Sequence, residues 1–206
     1  MDSSIHFTQA ERSLIQDTHF FQTKAIISQK VKQILEQLHV ALKEDLAGSS
    51  LLAPEGIDIT TGQFVKGEHL HDFPYRYLDF PKYFSQDEKF TFRSLFWWGH
   101  HFIFALILEG RRLDQYKQNL LKSYDRLADQ GLYLLMAPTL WEWEKRPELL
   151  LEIRNDNREE VEAALATRRF LKIHRYIDFE NPVFEKGRLA EEGVATFRLM
   201  KAIMAK

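Results

Sequence analysis

The sequence predicts an α+β fold in which a central, mainly antiparallel sheet is flanked by N-terminal and C-terminal helices. Near both ends of the chain, apolar residues recur three and four apart, which is the spacing of a helix face. The middle contains short apolar and aromatic runs bounded by glycine and proline, which is typical of strands and turns. We therefore predict one globular domain, with helices over about 8–47, a sheet-rich middle over about 63–144 and a helical part over about 156–204.

Two helices are predicted at the N-terminus. Thr8 and Glu11 have the spacing of a capping box, in which both side chains accept hydrogen bonds from backbone N–H groups at the start of a helix. A longer helix over about 20–46 carries a single apolar stripe, formed by Ile27, Val31, Ile34, Leu35, Leu38 and Leu42. Such a stripe either covers a sheet or forms the seam of a homodimer, and covering a sheet is the commoner role.

The middle of the chain predicts an antiparallel sheet. The expected segments are an edge strand near 63–66, a strand over 75–80 stopped by Pro81, and strands over 89–98 and 102–109 joined by a tight turn at 99–101. The strand over 102–109 is apolar on both faces, so we expect it in the centre of the sheet, buried on both sides.

Beyond Gly110 the pattern predicts a helix to about residue 130, a strand over 132–137 and a half-exposed strand over 141–144. Trp141 and Trp143 would share one face of that last strand, either as a contact patch for a sugar or protein or as cover for the core.

The last quarter of the chain is predicted to be mainly helical. Asp156 or Asn157 can cap a helix, and residues 185–204 have the pattern of a terminal helix. Residues 170–179 suit either a strand or a continuing helix.

Composition indicates a folded, cytoplasmic protein without membrane contact. The chain is 45% hydrophobic and 28% charged, close to the globular average. It has no cysteine, which excludes disulfides, thiolate metal sites and cysteine nucleophiles and suits a reducing compartment. The first residues lack the features of a signal peptide. The longest apolar run, 95–108, is interrupted at 99–101 and is shorter than the about 20 residues that span a bilayer.

Charge argues against nucleic acid as the main partner. The formal net charge is −2, so no global basic excess exists. One basic cluster, formed by Arg168, Arg169, Lys172, His174 and Arg175, is interpreted as part of a solvated helix with mixed charges.

His69 and His71 are the strongest candidates for a metal site. Two histidines two apart on an extended segment point the same way and can share one divalent ion, with a further ligand from His100, His101 or Asp79. The alternative is a polar surface loop, because the spacings of known metalloenzymes, such as HExxH, are absent.

A second candidate site lies in the aromatic block 73–109. Charged residues inside predicted strands are expected to form ion pairs or to take part in function, because burying an isolated charge destabilises the fold. The candidate binding residues are Tyr75, Arg76, Asp79, Arg93, Trp98 and His100. Arginine would bind an anionic group while the aromatic rings stack on a flat ligand. The alternatives are a structural Arg–Asp pair and, for His100, an ordinary turn residue.

Part of this block resembles a family of uncharacterised bacterial proteins. The segments PYRYLDFPKYF and FTFRSLFWWGHHF are similar to that family's LPY-x-x-LDYPR-x-F and FFWWG patterns. The sequence differs at Phe73, Phe80, Lys82 and His100, where the family pattern has Leu, Tyr, Arg and Asn. The resemblance implies that the block is a shared feature, and it implies no activity.

These observations lead to three functional hypotheses. The first is a non-catalytic cytoplasmic protein that binds a partner or small ligand through the aromatic and arginine-lined end of the sheet. The second is a metal-assisted, hydrolase-like enzyme using His69, His71, Asp79 and His100. The third is a homodimeric assembly protein with the helix over about 20–46 as its seam. No nucleophile elbow or phosphate-binding glycine loop is present, so whether the protein is an enzyme stays open.

Overall fold

A computed structural model describes residues 5–206 of the chain. The helices are α1 (Gln9–Ile15), α2 (Thr18–Leu46), α3 (Leu113–Lys122), α4 (Tyr124–Leu127), α5 (Arg158–Thr167), α6 (Pro182–Glu185) and α7 (Leu189–Met200). The strands are β1 (Gln63–Leu70), β2 (Phe73–Phe84), β3 (Lys89–Trp97), β4 (His101–Glu109), β5 (Tyr133–Leu135), β6 (Leu150–Glu152) and β7 (Leu171–Ile177). Short 3₁₀ turns lie at Pro147–Leu149 and Lys201–Met204.

The seven strands form one sheet in the order β1-β2-β3-β4-β7-β5-β6, and the paired strands run antiparallel. Helices lie at both ends of the chain, so the predicted α+β fold is confirmed. Strand β4 occupies the middle of the sheet and is buried along its length except at Glu109, as its apolar faces predicted. The described residues contain no helix long and apolar enough to cross a membrane.

One face of the sheet is covered by helices. The stripe of α2 buries Val31, Leu35, Leu38, Leu42 and Leu46 in a core shared with α7 and the even-numbered side chains of β3 and β4. The interpretation of α2 as cover for a sheet is therefore confirmed. The part of the stripe from Leu35 to Leu46 is fully occupied by packing within the chain.

The opposite face is covered by a loop instead of helices. The segment between β5 and β6, here called the Trp loop (residues 136–149), packs on odd-numbered side chains of β3 and β4. The second core cluster contains Leu95, Trp97, Ile103, Ala105, Ile107, Leu135, Ala137, Leu140, Trp143 and Phe170. The prediction of a strand over 141–144 was wrong, because these residues form turns within the loop.

Three other boundaries differ from the prediction. Strand β2 does not stop at Pro81 but continues to Phe84, with a register shift between Asp79 and Lys82 that accommodates the proline. The helix predicted after Gly110 breaks at Ser123 into α3 and α4. The C-terminal part is not only helical, because β7 lies between β4 and β5 in the sheet.

The interpretation of the basic cluster as part of a solvated helix was also wrong. Helix α5 ends at Thr167, and the cluster continues into β7. Lys172 and His174 are both about 1% exposed, on the face that the Trp loop covers.

Candidate functional site

The candidate site begins with a row of polar side chains across the sheet. The strand register aligns Asp79 of β2, Arg93 of β3, Ala105 of β4 and His174 of β7. Because alternate residues of a strand share a face, this row lies on the side covered by the Trp loop. Ala105 contributes only a methyl group, so the middle of the row is shorter than the side chains on either side of it.

Asp79 and Arg93 form a bidentate ion pair inside the protein. Arg93 Nε donates to Asp79 Oδ1 at 2.7 Å, and Nη2 donates to Oδ2 at 2.6 Å. Asp79 is 1% exposed and Arg93 is 7% exposed. Burial raises the pKa of the Asp79 carboxyl, and the two hydrogen bonds from Arg93 oppose that rise. The pair fixes the plane of the guanidinium.

Aromatic rings surround that guanidinium. Its central carbon lies 3.8 Å from the ring centroid of Tyr77 and 5.3 Å from those of both Trp141 and Trp143. Tyr75 stacks beside Tyr77 with the ring planes only 7° apart. These groups border a cavity of about 280 Å³, here called the aromatic–Arg pocket, lined by Leu70, Tyr75, Tyr77, Arg93, Leu95, Trp141 and Trp143.

Lys172 anchors the Trp loop beneath this pocket. Its Nζ donates to the carbonyl oxygens of Leu140 at 3.1 Å and Glu142 at 2.5 Å, and it lies 3.3 Å from the centroid of the Trp143 ring. Burial and the nearby Arg93 charge hold the pKa of Lys172 well below its ordinary value. Arg168 adds hydrogen bonds to the loop carbonyls of Met136 and Ala137. Side chains of β7 and its preceding turn therefore set the position of the pocket wall.

Two histidines are also buried on this face of the sheet. His101 Nε2 donates to the carbonyl oxygen of Trp143 at 3.2 Å, and burial lowers the pKa of His101 to about 4. His174 has no hydrogen-bond partner for either ring nitrogen among the described residues. Burial and the Lys172 charge hold the pKa of His174 well below its ordinary value. Both rings are therefore neutral at pH 7.

The structure divides the predicted binding residues between the two faces of the sheet. Tyr75, Asp79 and Arg93 come together at the aromatic–Arg pocket. Arg76 and Trp98 line a different cavity on the helix-covered face. His100 belongs to the β3–β4 turn, where its ring stacks on that of Trp97 with the two ring centroids 3.6 Å apart. The six predicted binding residues therefore do not form a single site.

The predicted metal ligands are not gathered into a metal-binding group. Strand β1 ends at Leu70, and His71 has a φ of 49°, so the extended geometry needed for His69 and His71 to share an ion is interrupted. His71 Nδ1 lies 2.7 Å from Glu144 Oε1, while Asp79 is bound to Arg93. Within residues 5–206, no group of three or more His, Asp or Glu side chains is placed to hold a metal ion.

The sequence did not identify the site residues Tyr77, Lys172 and His174. One signal could have identified the last two. Residues 171–177 alternate, so that Lys172, His174 and Tyr176 share one strand face opposite the apolar Leu171, Ile173 and Ile177. Polar side chains on a strand that lies inside a sheet must be paired or functional.

A comparison of the chain with protein-family models, curated proteins and solved structures found no significant match.

Proposed function

We propose that the protein is a non-catalytic, cytoplasmic ligand-binding protein, and that its ligand is a planar small molecule held in the aromatic–Arg pocket. The observation that supports this proposal is the fixed guanidinium of Arg93, enclosed by Tyr77, Trp141 and Trp143. A rigid donor among flat apolar walls suits a ring that stacks and accepts a hydrogen bond.

The aromatic walls supply the stacking surface. Trp141 is 43% exposed although it stands beside buried neighbours, so its ring is accessible to a ligand. Tyr75 and Tyr77 present nearly parallel rings from the adjacent strand. Aromatic stacking contributes about 0.5–1.5 kcal/mol per pair beyond the area buried.

The polar groups define which ligands are favoured. Asp79 accepts hydrogen bonds from Nε and Nη2 of Arg93. No described residue accepts a hydrogen bond from Nη1. Because Asp79 balances the charge of Arg93, the pocket does not require a highly charged ligand. A ring that carries a carbonyl or carboxylate oxygen would satisfy Nη1 without displacing Asp79.

The same contacts support a binding role over a catalytic one. Asp79 is held by Arg93, and the ammonium group of Lys172 is held by two backbone carbonyls. His174 is about 1% exposed. A general acid or base must reach the proton it transfers, and none of these groups borders the pocket with a free polar atom.

Saturation-transfer NMR with benzoate, nicotinamide and indole as probes tests the proposal. We expect signals from at least one of the oxygen-bearing probes, and Trp141→Ala should weaken its affinity about tenfold through lost stacking. Phe84→Ala is the matched control, because Phe84 is 40% exposed on β2 and does not line the pocket. Absence of binding by all three probes, or equal losses in both variants, would contradict the proposal.

A further inference from the structure

Near the N-terminus the protein has an apolar surface that the other described residues leave exposed. This N-terminal arm (residues 5–21) comprises α1 and the first turn of α2. Its large apolar side chains are between 49% and 96% exposed: Ile5, Phe7, Leu14, Ile15, Phe20 and Phe21. Scattered exposed apolar residues are ordinary, but a run of six along one short segment marks an interaction surface.

Helix α1 is also too short to be stable without a partner. It has seven residues and buries none of them. The hydrogen bonds of Thr8, Glu11, Ser13 and Asp17 join residues at most four apart. Isolated helices shorter than about 12 residues are marginal in water, so a helix here requires packing against another surface.

A complementary surface exists on the same molecule. A cavity of about 480 Å³, here called the apolar groove, opens between α2, the β3–β4 turn and α6. It is lined by Ile27, Lys30, Val31, Ile34, Phe96, Trp98, Gly99, Phe179, Phe184 and Leu189. Nine of these ten residues are uncharged, and Lys30 is the exception. The groove therefore offers apolar walls with a cationic edge.

The charges of the two surfaces are complementary. The arm contains Glu11, Arg12 and Asp17, which gives it a formal charge of −1 with histidine neutral. At the edge of the groove, Lys30 forms no ion pair with a described residue, and neither does Arg76, which lines the adjoining cavity. By contrast, the neighbouring Lys24 and Lys66 both form ion pairs with Glu68.

We propose that the arm of one copy lies in the apolar groove of a second copy, and that the exchange is reciprocal, forming a twofold-symmetric dimer. The exposed side chains of the arm amount to on the order of 700 Å² per copy, close to the about 800 Å² per partner of a stable interface. Each chain carries both halves of the contact, so one twofold axis satisfies both arms and both grooves.

Sedimentation equilibrium of the whole chain from about 1 to 100 μM tests the dimer. Phe20→Asp should weaken association at least tenfold, because Phe20 continues the stripe of Ile27 and Val31 toward the groove. Val40→Asp is the matched control: Val40 is 57% exposed, against 49% for Phe20, but lies on the opposite side of α2. A monomer throughout, or a dimer that Phe20→Asp leaves intact, would overturn the proposal.

A crosslinking experiment identifies the contact itself. The chain has no cysteine, so Leu14→Cys and Ile34→Cys can be made separately without background. After the two variants are mixed, a bismaleimide should yield a covalent heterodimer. If only a doubly substituted chain crosslinks, and does so within one molecule, the arm folds onto its own groove and the proposal fails. Neither result depends on ligand binding at the aromatic–Arg pocket, on the other face of the sheet.

Discussion

The ammonium group of Lys172 lies 3.3 Å from the centroid of the Trp143 ring and bonds two carbonyl oxygens of the same loop. A buried lysine thus connects the centre of the sheet to the wall of the aromatic–Arg pocket. Its partners are a π face and backbone oxygens rather than a carboxylate. This arrangement holds the Trp loop in place through a long side chain that donates to backbone carbonyls and contacts a ring face.

Lys172→Ala should therefore loosen the Trp loop and destabilise the protein. Loss of two hydrogen bonds from a charged donor, together with the cavity, should lower the free energy of unfolding by about 3 kcal/mol. Urea denaturation measures this loss, and hydrogen exchange of residues 136–149 should accelerate more than exchange in β4. The exposed Lys186→Ala is the control. Equal exchange rates in the loop would show that Lys172 does not anchor it.

The Asp79–Arg93 pair should show strong coupling in a double-mutant cycle. Arg93→Met leaves the Asp79 carboxyl buried without its partner, which should cost about 3–5 kcal/mol of stability. Asp79→Leu should be similarly destabilising. The double variant should recover most of the loss, because no unpaired charge remains. Chemical denaturation of the four proteins gives the coupling energy, and additive losses would contradict a buried, mutually dependent pair.

The sequence predicted the parts of the fold that local patterns specify. The hairpin of β3 and β4 followed from aromatic runs flanking Gly99, which adopts a φ of 72° that suits glycine. The stripe of α2 followed from helical spacing. The Trp loop was not predictable in this way, because Trp141 to Glu144 alternates as a strand does, while its position depends on Lys172 and Arg168 from a distant part of the chain.

The sequence predicted only part of the candidate site. Tyr75, Asp79 and Arg93 were named from charged residues inside aromatic strands, and they do meet. Arg76 was grouped with them although adjacent strand residues face opposite sides, a rule that could have separated it from Tyr75. Lys172 was not identified, because residues 170–179 suit a helix as well as a strand, and only the strand places Lys172 on the face that the Trp loop covers.

Stability should fall when the solution is acidified, because of His101. Burial lowers the pKa of His101 to about 4 in the folded protein, from 6.5 for an exposed histidine. Below pH 6.5 the unfolded chain therefore binds the extra proton, so stability is intact above pH 6.5 and declines as the pH falls toward 4. The contribution of His101 reaches about 3 kcal/mol at pH 4.

Urea denaturation at intervals between pH 8 and pH 4 measures this decline. His174, whose pKa is also lowered, should contribute in the same direction, so His101→Gln should reduce the slope without abolishing it. His69→Gln serves as the control, because His69 is exposed. A slope that is unchanged in His101→Gln would show that the pKa of His101 does not differ between the folded and unfolded chain.

Gly193 should be intolerant of even one added methyl group. In α7 a Cβ at this position would lie 2.7 Å from Phe104 Cε1 and 2.9 Å from Leu38 Cδ1, where the helix crosses α2 and β4. Alanine normally stabilises a helix interior by about 1 kcal/mol relative to glycine. Here overpacking should outweigh that gain, so Gly193→Ala should lower the free energy of unfolding by about 1–3 kcal/mol.

Thermal and urea denaturation distinguish these two effects when Ala195→Gly is measured in parallel. Ala195 is exposed on the same helix, so that variant reports helix propensity alone. If Gly193→Ala proved as stable as the parent protein, Phe104 and Leu38 would have to move apart by several tenths of an ångström.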